Sequence, residues 1–373
     1  MSVTTEARPR YVELLPGDPA PWFRQRSTSN PRYVFDTAAG RHVVLLFFGS
    51  ARDEAGQAAL DAVTAARSRF DDQHAAFFGV SLDPGDEAEG RVRESLPGIR
   101  HFWDFDGTVS RLYGAVPAGD EPVGTHPARR FWVVLDAALR VKRVFALRDH
   151  EAVFAYLDTL AAPGTFGGEE VMAPVLLIPD VFEPAFCRRL IEAYDAAGGE
   201  LSGFMREVDG KTVGVHDRAH KVRRDHLIED QNLIQQTQAR IRRRIVPEIL
   251  KVHQFRATRM ERYLVGCYSA DDGGHFRAHR DNTTPGTAHR RFAVSINLNG
   301  DFEGGEVSFP EYGPRSFKPP PGGAVVFSCS LLHAVSRVTS GRRYAFLPFL
   351  YDDAAAKVRE QNATSLAGSS YKS

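Results

Sequence analysis

His279 and Asp281 stand one residue apart, and His333 follows well downstream. Side chains at positions i and i+2 of a strand project to the same side, so this H-x-D pair can bind one ion if a third ligand arrives from a neighbouring strand. Two neutral imidazoles and one carboxylate on one face of an octahedron leave three coordination positions open. That is the donor set of a non-haem Fe(II) centre, with room for a bidentate co-substrate and dioxygen. An H-x-D alone is weak evidence among 13 histidines, so its surroundings must carry the weight. Beyond His333, Arg343 opens the last strand in GRRYAFLPFLY. A guanidinium can make two parallel bonds to a carboxylate, and a buried one is costly without an anionic partner. A dicarboxylic keto acid that chelates the metal at one end and meets Arg343 at the other satisfies both demands.

These residues need a frame that brings distant strands together. From Thr258 onward the runs RMERYLVGCY, HFRAH, RFAVSINLN, GEVSF, RSFK, GAVVFS, HAVSRV and RRYAFLPFLY are separated by Gly, Pro, Asn and Asp turns, which predicts short strands. Strands at this spacing predict a double-stranded β-helix, or jelly roll, with flanking helices. The helices are expected at 184–197 and over a long pattern from 228 to 253 that breaks near Pro247. The stretch 204–226 reads as an irregular segment with His216, His220 and His226 on the surface. Such a segment beside a rigid barrel can gate a site, and Arg223 or Arg224 is positioned there to meet a substrate carboxylate.

The stretches YLVGCYSADDGGHFRAHRDN, FAVSINLNGDFEGGEVSFPEYG, FKPPPGGAVVFS and HAVSRVTSGRRYAF together resemble the prolyl 4-hydroxylase-like branch of the Fe(II)/2-oxoglutarate oxygenases. The resemblance covers a domain at 174–353. It implies that His279, Asp281 and His333 are the metal ligands and the catalytic centre, and that Arg343 meets the distal carboxylate of 2-oxoglutarate. Tyr268 falls where this family often has a tyrosine bonding the co-substrate, with a one-residue shift. Asn297 stands where relatives often carry a tyrosine facing the same carboxylate. The implied cofactors are Fe(II) and 2-oxoglutarate, with ascorbate as a candidate reductant. The implied reaction converts 2-oxoglutarate and O2 to succinate and CO2 while hydroxylating a C–H bond of a protein residue or a small molecule. The retained Asp281 disfavours halogenation. The DDGG insertion before His275 reshapes the lip of the site and leaves the substrate open.

Upstream, HVVLLFF at 42–48, AAFFGVS at 75–81, FWVVLD at 131–136 and RVKRVF at 140–145 predict strands, with helices at 54–70 and 150–160. Strands alternating with helices imply a layered α/β domain. PGDPAPWF, LLFFGS, HFWDFDGTVSRLYGA and FWVVLD resemble the peroxiredoxin and thioredoxin-like family, which places an α/β thioredoxin-like fold at 1–161. That family needs a peroxidatic cysteine just after LLFFGS, where this chain reads ARDEAGQAAL, and no cysteine precedes Cys187. The thiolate is the nucleophile in such chemistry, so the resemblance carries a fold and no catalytic residue. A linker is expected at 162–173 and a polar tail at 354–373. Two rival readings are an oxygenase partnered with a thiol system and a non-catalytic two-domain binding protein.

Composition narrows the classes further. Among 373 residues, 47 basic side chains balance 47 acidic ones, so nothing global points to nucleic acid or membrane. The run Arg242, Arg243, Arg244 reads as a solvated helix face. No segment offers a signal-peptide core or a long apolar span, which predicts a cytoplasmic protein. Cys187, Cys267 and Cys329 lack metal or disulfide spacing and read as small core residues. Because redoxin folds often dimerise, a homodimer is an expectation, with a protein or small molecule as substrate.

Overall fold

The computed structural model describes residues 9–119, 122–208 and 210–365. The first eight residues and the last part of the expected tail, 366–373, lie outside the described residues. The chain divides into two compact units, Met1–Met172 with Pro310–Gly313, and Ala173–Phe309 with Pro314–Ser373. No helix among the described residues is long and apolar enough to cross a membrane.

The N-terminal unit is built on a five-stranded sheet in the order Ile99–Trp103, Ala75–Ser81, His42–Gly49, Phe131–Leu135, Val141–Ala146. The first three strands are parallel and the last two antiparallel. Residues 42–48 and 75–81 are buried throughout, as unbroken apolar runs must be when both faces of a sheet are covered. The helix Glu54–Ala65 starts at Asp53, whose carboxylate accepts a hydrogen bond from the Gly56 N–H and another from Arg130. The edge strand Ile99–Trp103 was not legible beforehand, because Arg100 and His101 interrupt its apolar run.

Among the described residues, the C-terminal unit is built on two main antiparallel sheets, beside one two-stranded hairpin. Strands of the larger sheet run Leu176–Ile178, Ala324–Ser328, Phe292–Asn297, Val338–Phe346, Leu264–Ser269, Arg224–Leu227, with a short edge strand at Glu200–Leu201. The smaller sheet runs Lys221–Val222, His275–His279, His333–Val335, Val307–Ser308, Ser316–Phe317. From Leu264 onward the chain passes repeatedly from one sheet to the other, which is the jelly-roll pattern expected from the strand spacing. Helices Pro184–Ala197, Gln231–Arg244 and Val246–His253 cover the larger sheet, with Pro247 in the first turn of the last.

Strand alternation decides what each face does. Val265, Cys267, Val294, Ile296, Tyr344 and Phe346 share one apolar cluster with Phe186, Leu190, Ile241 and Ile249 of the helices. Their sequence neighbours Tyr268, Ser295 and Arg343 therefore point to the opposite face, where they line the cavity between the sheets.

Two expectations are corrected here. The stretch 204–226 is not an irregular loop. It forms a hairpin, Phe204–Val208 with Lys211–Val215, and then supplies a strand to each sheet. Alternating polar and apolar residues across Gly210 carried that signal, and the cluster of charges masked it. The polar tail at 354–373 begins as a helix, Asp353–Gln361, because the Asp352 carboxylate caps it by accepting from the Ala355 N–H.

A buried ion network ties the strand Arg259–Glu261 to the segment following the H-x-D pair. Glu261 accepts from His289 at 2.9 Å and from Arg290 at 2.7 Å. Burial pushes the Glu261 carboxyl up, but His289 and Arg290 outweigh it and bring it down to about 2. Its unfolded value is about 4.3. The stabilisation is therefore present above about pH 4.3 and is lost as pH falls towards the folded value. Glu261→Gln should lower the unfolding free energy by ~3–5 kcal/mol, the cost of breaking a buried pair. Urea unfolding at pH 7 and pH 3.5 checks this, and the gap between variant and wild type should shrink at the lower pH.

Candidate active site

His279 closes the strand His275–His279 and His333 opens His333–Val335, and the two are direct register partners. Asp281 lies two residues beyond His279, held by its own N–H donating to the Cys329 carbonyl at 3.0 Å. Antiparallel pairing thus brings His333 beside the H-x-D pair, where the spacing calls for a third donor. The ligand atoms of His279, Asp281 and His333 lie within 4.8 Å of one another. Asp281 Oδ1 is 3.6 Å from His279 Nε2, and Oδ2 is 3.3 Å from His333 Nε2.

The tautomers are set from behind. His279 Nδ1 lies 2.8 Å from the Arg277 carbonyl, and His333 Nδ1 lies 3.0 Å from the Leu331 carbonyl. Donation from Nδ1 leaves each Nε2 lone pair free for an ion. Phe276 stacks on His279 with ring centroids 3.5 Å apart and restricts its rotation. Burial, together with His279, pulls His333 down to about 4, so it stays neutral at pH 7. Burial acts to raise the Asp281 carboxyl, but His333 and His279 hold it well below the ordinary range. His333 as a neutral nitrogen donor and Asp281 as an anionic oxygen are thus in their metal-binding protonation states.

Arg343 sits in the same cavity with only 1% of its surface exposed. Its Nε donates to Asn297 Oδ1 at 3.0 Å and its Nη2 to Ser295 Oγ at 2.7 Å. Both acceptors are neutral, and Nη1 has no hydrogen-bond partner among the described residues. An orphaned donor on a buried cation is the feature a ligand carboxylate would complete. The cavity, an open cleft of about 510 Å³, also takes in Tyr268, Arg223 and Arg262. Tyr268 is buried and accepts from Arg223 Nη1 at 3.3 Å, with the Arg343 guanidinium 5.3 Å from its ring centre.

All six residues singled out from sequence fall around this centre, although Asn297 acts through Arg343. Its amide also donates to the Pro319 carbonyl at 2.8 Å, which fixes the Oδ1 that receives Arg343. Ser295 was missed. Its signal was a polar residue at i−2 from Asn297 in the otherwise apolar FAVSIN, hence on the cavity face. Asp225 was missed too, and it accounts for Arg223: two hydrogen bonds, at 2.6 and 2.7 Å, occupy that guanidinium. Arg224 is exposed and reaches the Gly199 carbonyl. His216 is exposed, whereas His220 is half-buried, with its ring centre 4.4 Å from Phe204 and 5.6 Å from Phe276. His220 is thus not the surface residue expected. All three cysteines are buried, and burial pushes Cys187 and Cys267 up to about 11.

Residues 262–351 match the family described as the 2OG-Fe(II) oxygenase superfamily. A PKHD-type hydroxylase of Gluconobacter oxydans is 39% identical over 84 residues, 20% of this chain and 37% of that protein. The chain thus spans little more than a third of that relative's length. A PKHD-type hydroxylase of Bordetella pertussis is 29% identical over 203 residues, covering 52% of this chain and 83% of its own. Among solved structures, a Pseudomonas putida prolyl-4-hydroxylase aligns at 15% identity with a TM-score of 0.36, over 48% of this chain and 91% of its own. On the family match and the PKHD-type relatives, the C-terminal unit carries a 2OG-Fe(II) oxygenase domain.

Proposed function

We propose that the chain is an Fe(II)- and 2-oxoglutarate-dependent dioxygenase that hydroxylates a C–H bond. His279, Asp281 and His333 would hold the iron, and Arg343 would receive the distal carboxylate of 2-oxoglutarate. The observation that carries this reading is the unpartnered Nη1 of buried Arg343 in the same cavity as the three ligand atoms. Bound together, iron and 2-oxoglutarate would activate O2, which is the oxidant: one oxygen atom would go into succinate as CO2 leaves, and the other into the hydroxylated C–H bond. The chain's own residues bind, orient and exclude water. Backbone carbonyls aim both imidazoles, and Ser295 and Asn297 aim Arg343. Phe276 and Phe327 line the cleft with apolar surface.

The N-terminal unit supports a thioredoxin-like, peroxiredoxin-type reading through its parallel core strands followed by an antiparallel hairpin. With no cysteine before Cys187, its role is a scaffold or substrate-recruiting module rather than a thiol peroxidase. The substrate is a protein residue or a small molecule, the protein works in the cytoplasm as a homodimer, and ascorbate serves as reductant. Aerobic incubation with Fe(II) and 2-oxoglutarate tests the function directly. Succinate should form even without the prime substrate, and added peroxide should not be consumed. Peroxide consumption without succinate would favour the thiol-linked alternative.

A further inference from the structure

Arg262 stands at the turn between the strands Arg259–Glu261 and Leu264–Ser269, with φ of 67°. This left-handed conformation is strained for a long side chain and natural for glycine. Strained residues of this kind cluster where a side chain must be aimed. Here the strain delivers the Arg262 guanidinium to the wall of the active-site cleft, 5.6 Å above the ring of Phe349, which lines the same cleft.

The other cations nearby are already engaged. Arg290 pairs with Glu261. Arg223 occupies both oxygens of Asp225, and Oδ2 accepts from Ser202 Oγ as well, at 2.6 Å. Buried Lys221 donates to Ser202 Oγ and the Gly203 carbonyl. Arg262 is left with one hydrogen bond among the described residues, a long 3.4 Å contact to the same crowded Oδ2. Most of its five N–H donors are therefore unused, although its side chain is only 16% exposed. Two arginines, Arg223 and Arg262, share the single carboxylate of Asp225, and burial together with Arg223 pushes the neighbouring Lys221 well below the usual lysine range, so the positive excess is that of the arginines. A partly buried positive excess with free donors, seated over an aromatic ring and open to the cleft, calls for an anion. Arg343 is a separate cation on the strand Val338–Phe346, so a co-substrate held there leaves Arg262 unanswered.

We propose that Arg262 is the residue that selects the prime substrate, and that this substrate bears a carboxylate received by its guanidinium beside Phe349. The proposal rests on the oxygenase reading and names its substrate class. The carboxylate could belong to a free amino acid or to an acidic side chain in a peptide, and the chemistry of recognition is the same.

The test uses the full chain with Fe(II), 2-oxoglutarate and O2, and measures stimulation of succinate formation. The probes are the free L-amino acids, the same amino acids as amides, and end-blocked peptides with or without Asp or Glu. At least one acid should stimulate at least ~10-fold better than its neutral counterpart, the worth of one charge-assisted bond. A response confined to free amino acids assigns one source, and a response to blocked acidic peptides assigns the other. Arg262→Gly, which relieves the backbone strain and so keeps the fold, should bring the acid-to-neutral ratio close to one, and Arg262→Lys should leave it intermediate. Equal stimulation by acids and neutral analogues, stimulation by none, or an unchanged ratio in Arg262→Gly overturns the proposal. The visible band of the wild-type Fe(II)·2-oxoglutarate complex is read anaerobically on the same preparation. Its presence with no acid preference rejects the substrate assignment alone, and its absence rejects the oxygenase reading beneath it.

Discussion

Arg343→Met raises the concentration of 2-oxoglutarate needed for half-saturation by about 100-fold, since a hydrogen bond to a charged group contributes ~1.5–3 kcal/mol and each 1.4 kcal/mol is tenfold. The same substitution changes the stability of the metal-free protein by no more than about 2 kcal/mol. Methionine fills a similar volume and removes a buried cation that has no anionic partner among the described residues, which offsets the acceptors lost at Ser295 and Asn297. A purely structural arginine would show the reverse pattern, with a large loss of stability and no specific effect on the co-substrate. Calorimetric titration of 2-oxoglutarate into the metal-loaded protein, alongside urea unfolding of the metal-free protein, separates the two.

Asp281→Ala removes the only anionic ligand of the cluster and should weaken Fe(II) binding by well over ~100-fold, beyond the ~10–100-fold typical of residues that merely support a ligand. Turnover should be lost at any practical iron concentration, because the two remaining imidazoles supply no charge to balance the ion. Retention of stoichiometric iron in Asp281→Ala, with His279 and His333 intact, would move the metal elsewhere in the chain. Iron content after gel filtration reads the result without reference to activity.

The site was more legible in the sequence than the frame around it, for reasons that lie in the residues. His279, Asp281, His333 and Arg343 are costly to bury unless they have a ligand, so their types alone limited what they could do. Tyr268 and Asn297 were indicated by the family resemblance rather than by their types, and the alternation of their strands is what turns them away from the apolar cluster. Ser295 sits on that same face yet was overlooked, because a serine is cheap to bury and gives little signal by itself. Asp225 was hidden differently. It lies in a stretch so rich in charge that it read as a solvated loop, when its carboxylate in fact makes Arg223 buriable. Arg262 could not be singled out, since positive φ at a non-glycine residue is set by the turn between two strands and leaves no mark in composition. The edge strand Ile99–Trp103 was obscured by Arg100 and His101, whose pairing with Asp72 and burial under the sheet depend on tertiary contacts.

The most direct measurement is an anaerobic titration of the purified protein with Fe(II) and then 2-oxoglutarate, following the weak visible metal-to-ligand charge-transfer band. A band in the wild type that is absent in His279→Ala, and that needs far more 2-oxoglutarate in Arg343→Met, would place metal and co-substrate together in this cleft. A folded wild-type protein that binds iron and gives no band on adding 2-oxoglutarate would contradict the assignment and favour a non-catalytic binding protein.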